Sequence, residues 1–147
     1  MDQKIIGRKE KVSLPDLGLK LVWAKVDTGA YTSSIHAENL KVIEVKGKLV
    51  LQFQPLLPGH KSYTGDVVTF EHFREKKVKN SFGHAEVRYL IETTFELAGE
   101  VYSAEFTLSD RSSMRNAILL GRKILRNRFL VDVCKVNLAR QYRKKIN

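Results

Sequence analysis

The clearest pattern in the chain runs from Val87 to Leu97, where Val87, Tyr89, Ile91, Thr93, Phe95 and Leu97 recur at every second position. That period predicts a strand with one face on a core. After Ala98-Gly99 the alternation resumes with Tyr102, Ala104, Phe106 and Leu108, so 87–97 and 101–108 read as a hairpin. Leu19 to Val26 is apolar on both faces except at Lys20 and Lys25. Such a segment suits a strand covered on both sides, with Trp23 in the core. Lys4 to Val12 reads as a first strand, and Pro15-Asp16-Leu17-Gly18 as the turn after it. Ser33 to Ala37 reads as a short strand. Lys41 to Val45 and Lys48 to Phe53 flank Lys46-Gly47, a two-residue hairpin signal that sets Val42, Ile43 and Val45 against Leu49, Val50 and Leu51. Pro55 to Gly59 breaks the sheet and Val67 to Phe73 resumes it. Ser109 to Arg115 is a polar loop, Ala117 to Leu120 a buried strand, Arg122 to Arg126 a short helix and Phe129 to Val133 a last strand. The pattern predicts one β-rich domain over 1–136, with 137–147 a basic tail or short terminal helix.

Two short runs carry chemistry. Val26-Asp27-Thr28-Gly29-Ala30 ends an apolar strand in a sharp turn, and Ile118-Leu119-Leu120-Gly121-Arg122 follows late in the chain. An isolated Asp-Thr-Gly is most often only a turn, since Asp and Gly favour turns. The second motif shifts the balance toward an aspartic-peptidase site. That chemistry needs two carboxylates sharing one proton, because like charges so close cannot both ionise. The pair titrates as a unit, one carboxylate activating water and the other polarising the scissile carbonyl. Gly29 would give the backbone room beside the carboxylate, and the Thr28 hydroxyl could hold the loop across a symmetric interface. No other aspartate here is followed by Thr-Gly. The mate of Asp27 is therefore expected from a second copy across a two-fold axis.

Asp27-Thr28-Gly29-Ala30 together with Ile118 to Arg122 resembles the retropepsin fold of retroviral-type aspartic peptidases. A closer resemblance is to a bacterial family labelled "ATP-dependent zinc protease", which carries a retropepsin-like domain. It rests on Ala24 to Ala30, Thr32 to Ala37, Gly83 to Ile91, Leu108 to Met114 and Leu119 to Arg122, and it covers nearly the whole chain. The resemblance implies an all-β, retropepsin-like closed barrel with one short helix near the C-terminus. It also implies association with ligases that add glutamates to protein tails, which a peptidase would trim. In retroviral enzymes an acidic residue soon after the catalytic turn pairs with the arginine of the second motif. Here Tyr31 and Thr32 stand in that stretch. Arg122 is thus expected to lack its usual partner and to be free to face substrate.

The charge sharpens the substrate class. Lys and Arg number 26 against 16 Asp and Glu, a formal charge of +10. Such a surface favours acidic peptide or nucleic acid, although solubility alone would also explain it. Arg74 to His84 is the best flap candidate, a basic stretch with Asn80, Ser81 and Gly83 as turn residues, and it reads equally well as a solvated loop with a charge run. Substrate-binding residues are then Ala30, His36, Lys79, Arg111 and Arg122, with Asp27, Thr28 and Gly29 catalytic. His36 reads equally well as a hydrogen-bonded histidine near the core, and Arg111 as an exposed loop arginine.

No metal site is expected, for the chain has no His-Glu-x-x-His run and its histidines at 36, 60, 72 and 84 are far apart. No phosphate-binding glycine loop is present, and no cofactor is expected. Cys134 is the only cysteine and, among Val131, Val133 and Val136, is expected to be buried. The charged opening and the absence of a long apolar run point to a cytoplasmic protein off the membrane. The rival reading is a non-catalytic basic β-barrel binding RNA or the ribosome, supported by charge and by Tyr63, Phe70, Phe73 and Tyr89. It lacks an RNA-module signature and leaves both motifs unexplained.

Overall fold

A computed structural model describes residues 3–79 and 82–143. Its centre is a closed six-stranded barrel. β2 (Lys9–Leu14) pairs antiparallel with β3 (Leu19–Val26) and with β8 (Ala85–Leu97). β8 pairs antiparallel with β9 (Glu100–Ser109), and β9 runs parallel to β4 (Ser33–Val45). β10 (Ile118–Leu120) closes the ring, parallel to β3 on one side and antiparallel to β4 on the other. Closure leaves no free edge in the barrel itself. The all-β, retropepsin-like expectation holds, and α1 (Arg122–Leu125) is the short helix near the C-terminus.

The two 13-residue strands outrun the barrel and build its appendages. β4 continues into a hairpin with β5 (Lys48–Pro55), which pairs with β6 (Val68–Phe70). β8 begins outside the barrel in a hairpin with β7 (Phe73–Lys79). β7 and β8 form a hairpin over the segment where the flap is expected; Asn80 and Ser81, the expected turn residues, lie outside the described residues. At the β4–β5 turn both Lys46 and Gly47 have positive φ, as a tight two-residue hairpin requires. Its register sets Val42 against Leu51 and Ile43 against Val50, whereas Val45 faces Lys48.

Several expected boundaries shift, each for a local reason. The expected 33–37 and 41–45 strands are one, with a register shift between Glu38 and Lys41 where Asn39 takes positive φ. That bulge breaks the apolar alternation. The expected first strand divides at Arg8, because β1 (Lys4–Gly7) leaves the barrel to pair in parallel with β11 (Phe129–Asp132). Val67 to Phe73 is likewise interrupted at Glu71-His72.

The core holds Phe95 against Phe106 edge to face, with Val22, Ala24, Val26, Ile35, Ile91, Leu97, Ile118 and Leu120 buried around them. Trp23 is not among them. Leu21, at φ 49°, is an extra residue opposite β2 and resets the phase of β3. Val22, Ala24 and Val26 then point inward and Trp23 outward, half-buried, with the Lys9 and Lys11 ammoniums 5.0 and 5.1 Å from its ring centre. Cys134 also departs from expectation. It is exposed, since β11 ends at Asp132 and a turn, capped by the Cys134 N–H on Asp132 Oδ1, carries Val133 and Val136 to the surface.

Residues 137–143 fold back on the barrel. The Asn137 N–H donates to the Lys9 carbonyl, and a 3-10 turn over Ala139–Tyr142 buries Ala139. Glu10, fully buried, organises this corner: its carboxylate accepts the backbone N–H of Gly7 (2.7 Å), Leu138 (2.8 Å) and Ala139 (3.0 Å). Three charge-assisted bonds offset the desolvation of one carboxylate. Glu10→Gln turns an acceptor into a donor facing N–H groups and is expected to lower unfolding stability by about 2 kcal/mol in a urea melt. An unchanged midpoint with an unchanged slope would show that the carboxylate fastens nothing.

Candidate active site

Asp27 stands where β3 leaves the barrel. Val26 is in register with Leu120, and the Asp27 N–H donates to the Leu120 carbonyl at 2.9 Å, so the ladder carries the chain into the turn. The Gly29 N–H then donates to Asp27 Oδ1 at 2.9 Å. A Cβ on Gly29 would sit 3.2 Å from that oxygen. Gly29 is absent from the positive-φ positions, so what it supplies is space beside the carboxylate. Asp27 Oδ2 lies 3.8 Å from the half-exposed Lys25 ammonium. The side chain is 28% exposed. One oxygen is thus fixed by the backbone and the group opens to solvent.

The second motif is stitched to this turn. Gly121 N–H donates to the Ser33 hydroxyl (2.9 Å), Arg122 N–H to the Ala30 carbonyl (2.8 Å) and Lys123 N–H to the Tyr31 carbonyl (3.0 Å). Gly121 has no room for a side chain: a Cβ would meet the Thr32 carbonyl oxygen at 2.7 Å and the Tyr31 carbonyl oxygen at 2.8 Å. Arg122 is not without partners. Its Nη1 donates to the Thr28 carbonyl at 3.0 Å and its Cζ lies 5.8 Å from the centre of the Tyr31 ring. A carbonyl and an aromatic face thus serve where an acidic residue was missing. Thr28 and Ala30 enter the seam through their backbones.

Arg111 reaches the same place from the loop after β9. Its Nε donates to the Asn116 carbonyl (3.0 Å) and its Nη1 to the Ser34 hydroxyl (3.2 Å). Burial lowers its pKa, and the charge of Asp27 opposes that shift, so carboxylate and guanidinium share one field. His36 is 2% exposed, with both ring nitrogens engaged by Arg111 N–H and Glu38. Lys79 stands apart: it is exposed at the end of β7, opposite Ala85. Ser33, Ser34, Glu38 and Asn116 are not among the site residues expected from sequence. Only the Thr32-Ser33-Ser34 hydroxyl run signalled any of them, since the others act through tertiary contacts.

The flap root is tied to the helix. Glu105 on β9 bonds Arg74 of β7, and its other oxygen takes the Lys123 ammonium at 3.2 Å. A cleft of about 360 Å3 opens beside this hairpin, walled by Val87, Arg88, Ala37, Leu40, Leu108 and Asp110. A larger groove of about 720 Å3, between Leu19–Leu21 and Leu97–Val101, shares no residue with the site. Among the described residues no group of three or more His, Cys, Asp or Glu side chains comes together to hold a metal. Among the described residues no helix is long and apolar enough to cross a membrane.

Two substitutions test this frame. Gly121→Ala forces backbone atoms apart and is expected to cost about 2 kcal/mol of stability by thermal or urea melt; a neutral effect would show that the turn and the second motif are not locked together. For Glu105, burial pushes the carboxyl up, but the hydrogen bonds and charges of Lys123 and Arg74 outweigh it and hold the pKa below the ordinary carboxylate range. A depressed folded pKa gives stability that is present above the unfolded value and lost as pH falls through the folded one. Glu105→Gln should thus be less stable than wild type by about 0.5 kcal/mol near neutral pH. The gap should close as acid protonates Glu105, and a gap that persists in acid would rule out the ion pairs as its source.

With this geometry in view, similarity to known proteins has a specific meaning. A family described as "RimB-like: Retropepsin-like aspartic endopeptidase RimB" matches residues 5–141. The crystal structure of Lpg0085, a Legionella pneumophila protein of unknown function, superposes with a TM-score of 0.72 at 30% identity, covering 94% of this chain and 99% of that one. Two proteins named "Probable alpha-L-glutamate ligase" are also similar. The one from Desulfotalea psychrophila is 35% identical over 97% of this chain, and the one from Shewanella pealeana 36% identical over 87%. The chain spans only 32% and 28% of their respective lengths. The family match runs from β1 into the last 3-10 turn and takes in both the Asp27 turn and the Gly121 motif, and on that ground the chain belongs to the RimB-like family of retropepsin-like aspartic endopeptidases.

Proposed function

We propose that this protein is an aspartic peptidase that cleaves peptide bonds in acidic or glutamate-rich segments, with Asp27 of two copies forming the catalytic pair. The observation that carries this reading is the Asp27 carboxylate itself, fixed by the Gly29 N–H and open to solvent, with Arg111 in its field. One such carboxylate is half of what the chemistry needs. A second copy supplies the other half without any further motif in the chain.

In the reaction so formed, the ionised member of the pair takes a proton from water as the water oxygen bonds to the scissile carbonyl carbon. The protonated member gives its proton to the carbonyl oxygen. Collapse of the tetrahedral diol breaks the C–N bond, the nitrogen leaves with a proton from the pair, and the carboxyl product forms. Atoms balance with water as the only co-reactant. Substrate preference follows from charge. The formal +10 and the guanidinium of Arg111 favour an acidic chain. Relatives named as glutamate ligases fit a glutamate-bearing substrate, because a ligase and a peptidase acting on one bond type are natural counterparts.

The test compares wild type with Asp27→Asn on glutamate-tailed and neutral peptides. Asp27→Asn should lower kcat by about a thousandfold with the fold intact by circular dichroism. Added salt should raise KM for the acidic peptide more than for the neutral one. Cleavage that survives in Asp27→Asn would overturn the mechanism, and salt-independent capture the charge argument. Tight RNA binding by a wild type that cleaves neither peptide would point instead to a basic binding module.

A further inference from the structure

His36 is buried, and neither of its ring nitrogens is idle. Nδ1 accepts the backbone N–H of Arg111 at 2.7 Å. A nitrogen that accepts cannot carry the ring proton, so the hydrogen sits on Nε2 and is donated to Glu38 Oε1 at 2.6 Å. Glu38 thereby selects the tautomer that leaves Nδ1 free for Arg111. Asp110 Oδ1 lies 3.7 Å from Nδ1 and is already taken by the Ser112 N–H. The ring's own backbone is held as well. Its N–H donates to the Ala117 carbonyl, its carbonyl accepts the Leu56 N–H, and it pairs with Ser109 across the β4–β9 ladder. His36 therefore grips the loop between β9 and β10 at its start, through Ser109 and Arg111, and at its end, through Ala117.

Arg111 completes that span with its Nε on the Asn116 carbonyl and its Nη1 on the Ser34 hydroxyl. Two of the five guanidinium N–H groups are used in this way, and the rest make no bond among the described residues. A planar cation held through Nε and Nη1, with Nη2 uncommitted among the described residues, suits capture of a carboxylate by charge-assisted hydrogen bonds. From this arrangement we propose that Glu38 and His36 are a positioning pair that fixes Arg111 as the contact for an acidic side chain of the substrate next to Asp27. The specificity role rests on the peptidase reading given above; the positioning itself does not. Glu38 and His36 need not touch substrate, so their loss should alter selectivity through Arg111.

The experiment joins a structural and a kinetic readout on the full chain. The variants are Glu38→Ala, Glu38→Gln, which keeps an acceptor for Nε2–H, His36→Ala, and His36→Asn, whose amide oxygen stands where Nδ1 accepts. Hydrogen exchange of the Arg111 amide is followed by NMR, and KM and kcat are measured on glutamate-rich and neutral peptides. Glu38→Ala and His36→Ala should speed exchange of that amide by about tenfold, with Glu38→Gln and His36→Asn close to wild type. The ratio of KM for neutral over acidic peptide should fall by about tenfold in the alanine variants, while kcat falls little. Unchanged exchange in Glu38→Ala overturns the proposal, as does faster exchange in an active enzyme whose selectivity does not move. Where His36→Ala fails to fold, Glu38→Ala against Glu38→Gln decides, for Glu38 is 30% exposed. If the wild type cleaves neither peptide, the peptidase reading falls, and Arg111 exchange still decides the positioning.

Discussion

The structure depends on a hydrogen-bonded seam between residues 27–33 and 120–123. A turn that carries a carboxylate has no reason to hold one shape in water, and a four-residue helix is far too short to persist alone. Each here stabilises the other. The first N–H groups of α1, which an isolated helix leaves orphaned, are donated to the Ala30 and Tyr31 carbonyls. The Ser33 hydroxyl takes the Gly121 N–H, and the Arg122 side chain returns to the Thr28 carbonyl. Gly121 matters because the approach is backbone to backbone, with the Thr32 carbonyl occupying the space a side chain would need. Insertion of β10 between β3 and β4 brings the two segments together, so the barrel's closure and the site's construction are one event.

The same device recurs elsewhere in the barrel. The buried polar side chains Glu10, Ser13, Ser33 and His36 each accept a backbone N–H from a segment whose own ladder has ended or bulged. Glu10 receives the C-terminal turn, Ser13 the bulged Leu21, Ser33 the Gly121 corner and His36 the Arg111 loop. A regular sheet satisfies its own backbone, whereas irregular chain must find acceptors or stay wet. These four residues allow irregular segments to be buried against the barrel. Rigidity in turns and loops is thus supplied from strands, which suits a site built on loops.

Strand content was legible wherever one face met the core and the other water. β3 and β10 and the β8–β9 hairpin fall within a few residues of the alternation that predicts them. Errors collect where chain changes partner. β1 and β2 share one apolar pattern but belong to different sheets, and nothing in Lys4 to Val12 announces that Arg8 is the divide. Trp23 fails for a similar reason: a single positive-φ residue, Leu21, resets which neighbours face inward, and leucine carries no bulge signal. At the site, Asp27 and Gly121 were legible as motifs and Arg111 through resemblance. Glu38, Ser34 and Asn116 were not, because their roles arise from contacts between segments far apart in sequence, and no local spacing encodes those.

The partner of Arg122 bears on the charge around the site. A carboxylate beside that guanidinium would neutralise it and add a third acid near the proposed catalytic pair. Tyr31 and the Thr28 carbonyl avoid both effects. An aromatic face and a carbonyl dipole orient a cation while leaving its full charge in place. The Arg122 and Arg126 guanidiniums lie 5.8 and 5.7 Å from the Tyr31 ring centre, so two cations flank one neutral residue beside the Asp27 turn. Lys25 adds a third positive charge at 3.8 Å from Asp27, and Arg111 a fourth in the same field. The same cations would draw an acidic chain toward that carboxylate against its own negative charge. The substitution that removes an acid from the turn therefore supports the proposed preference for an acidic chain, since the acid it removes would have repelled one.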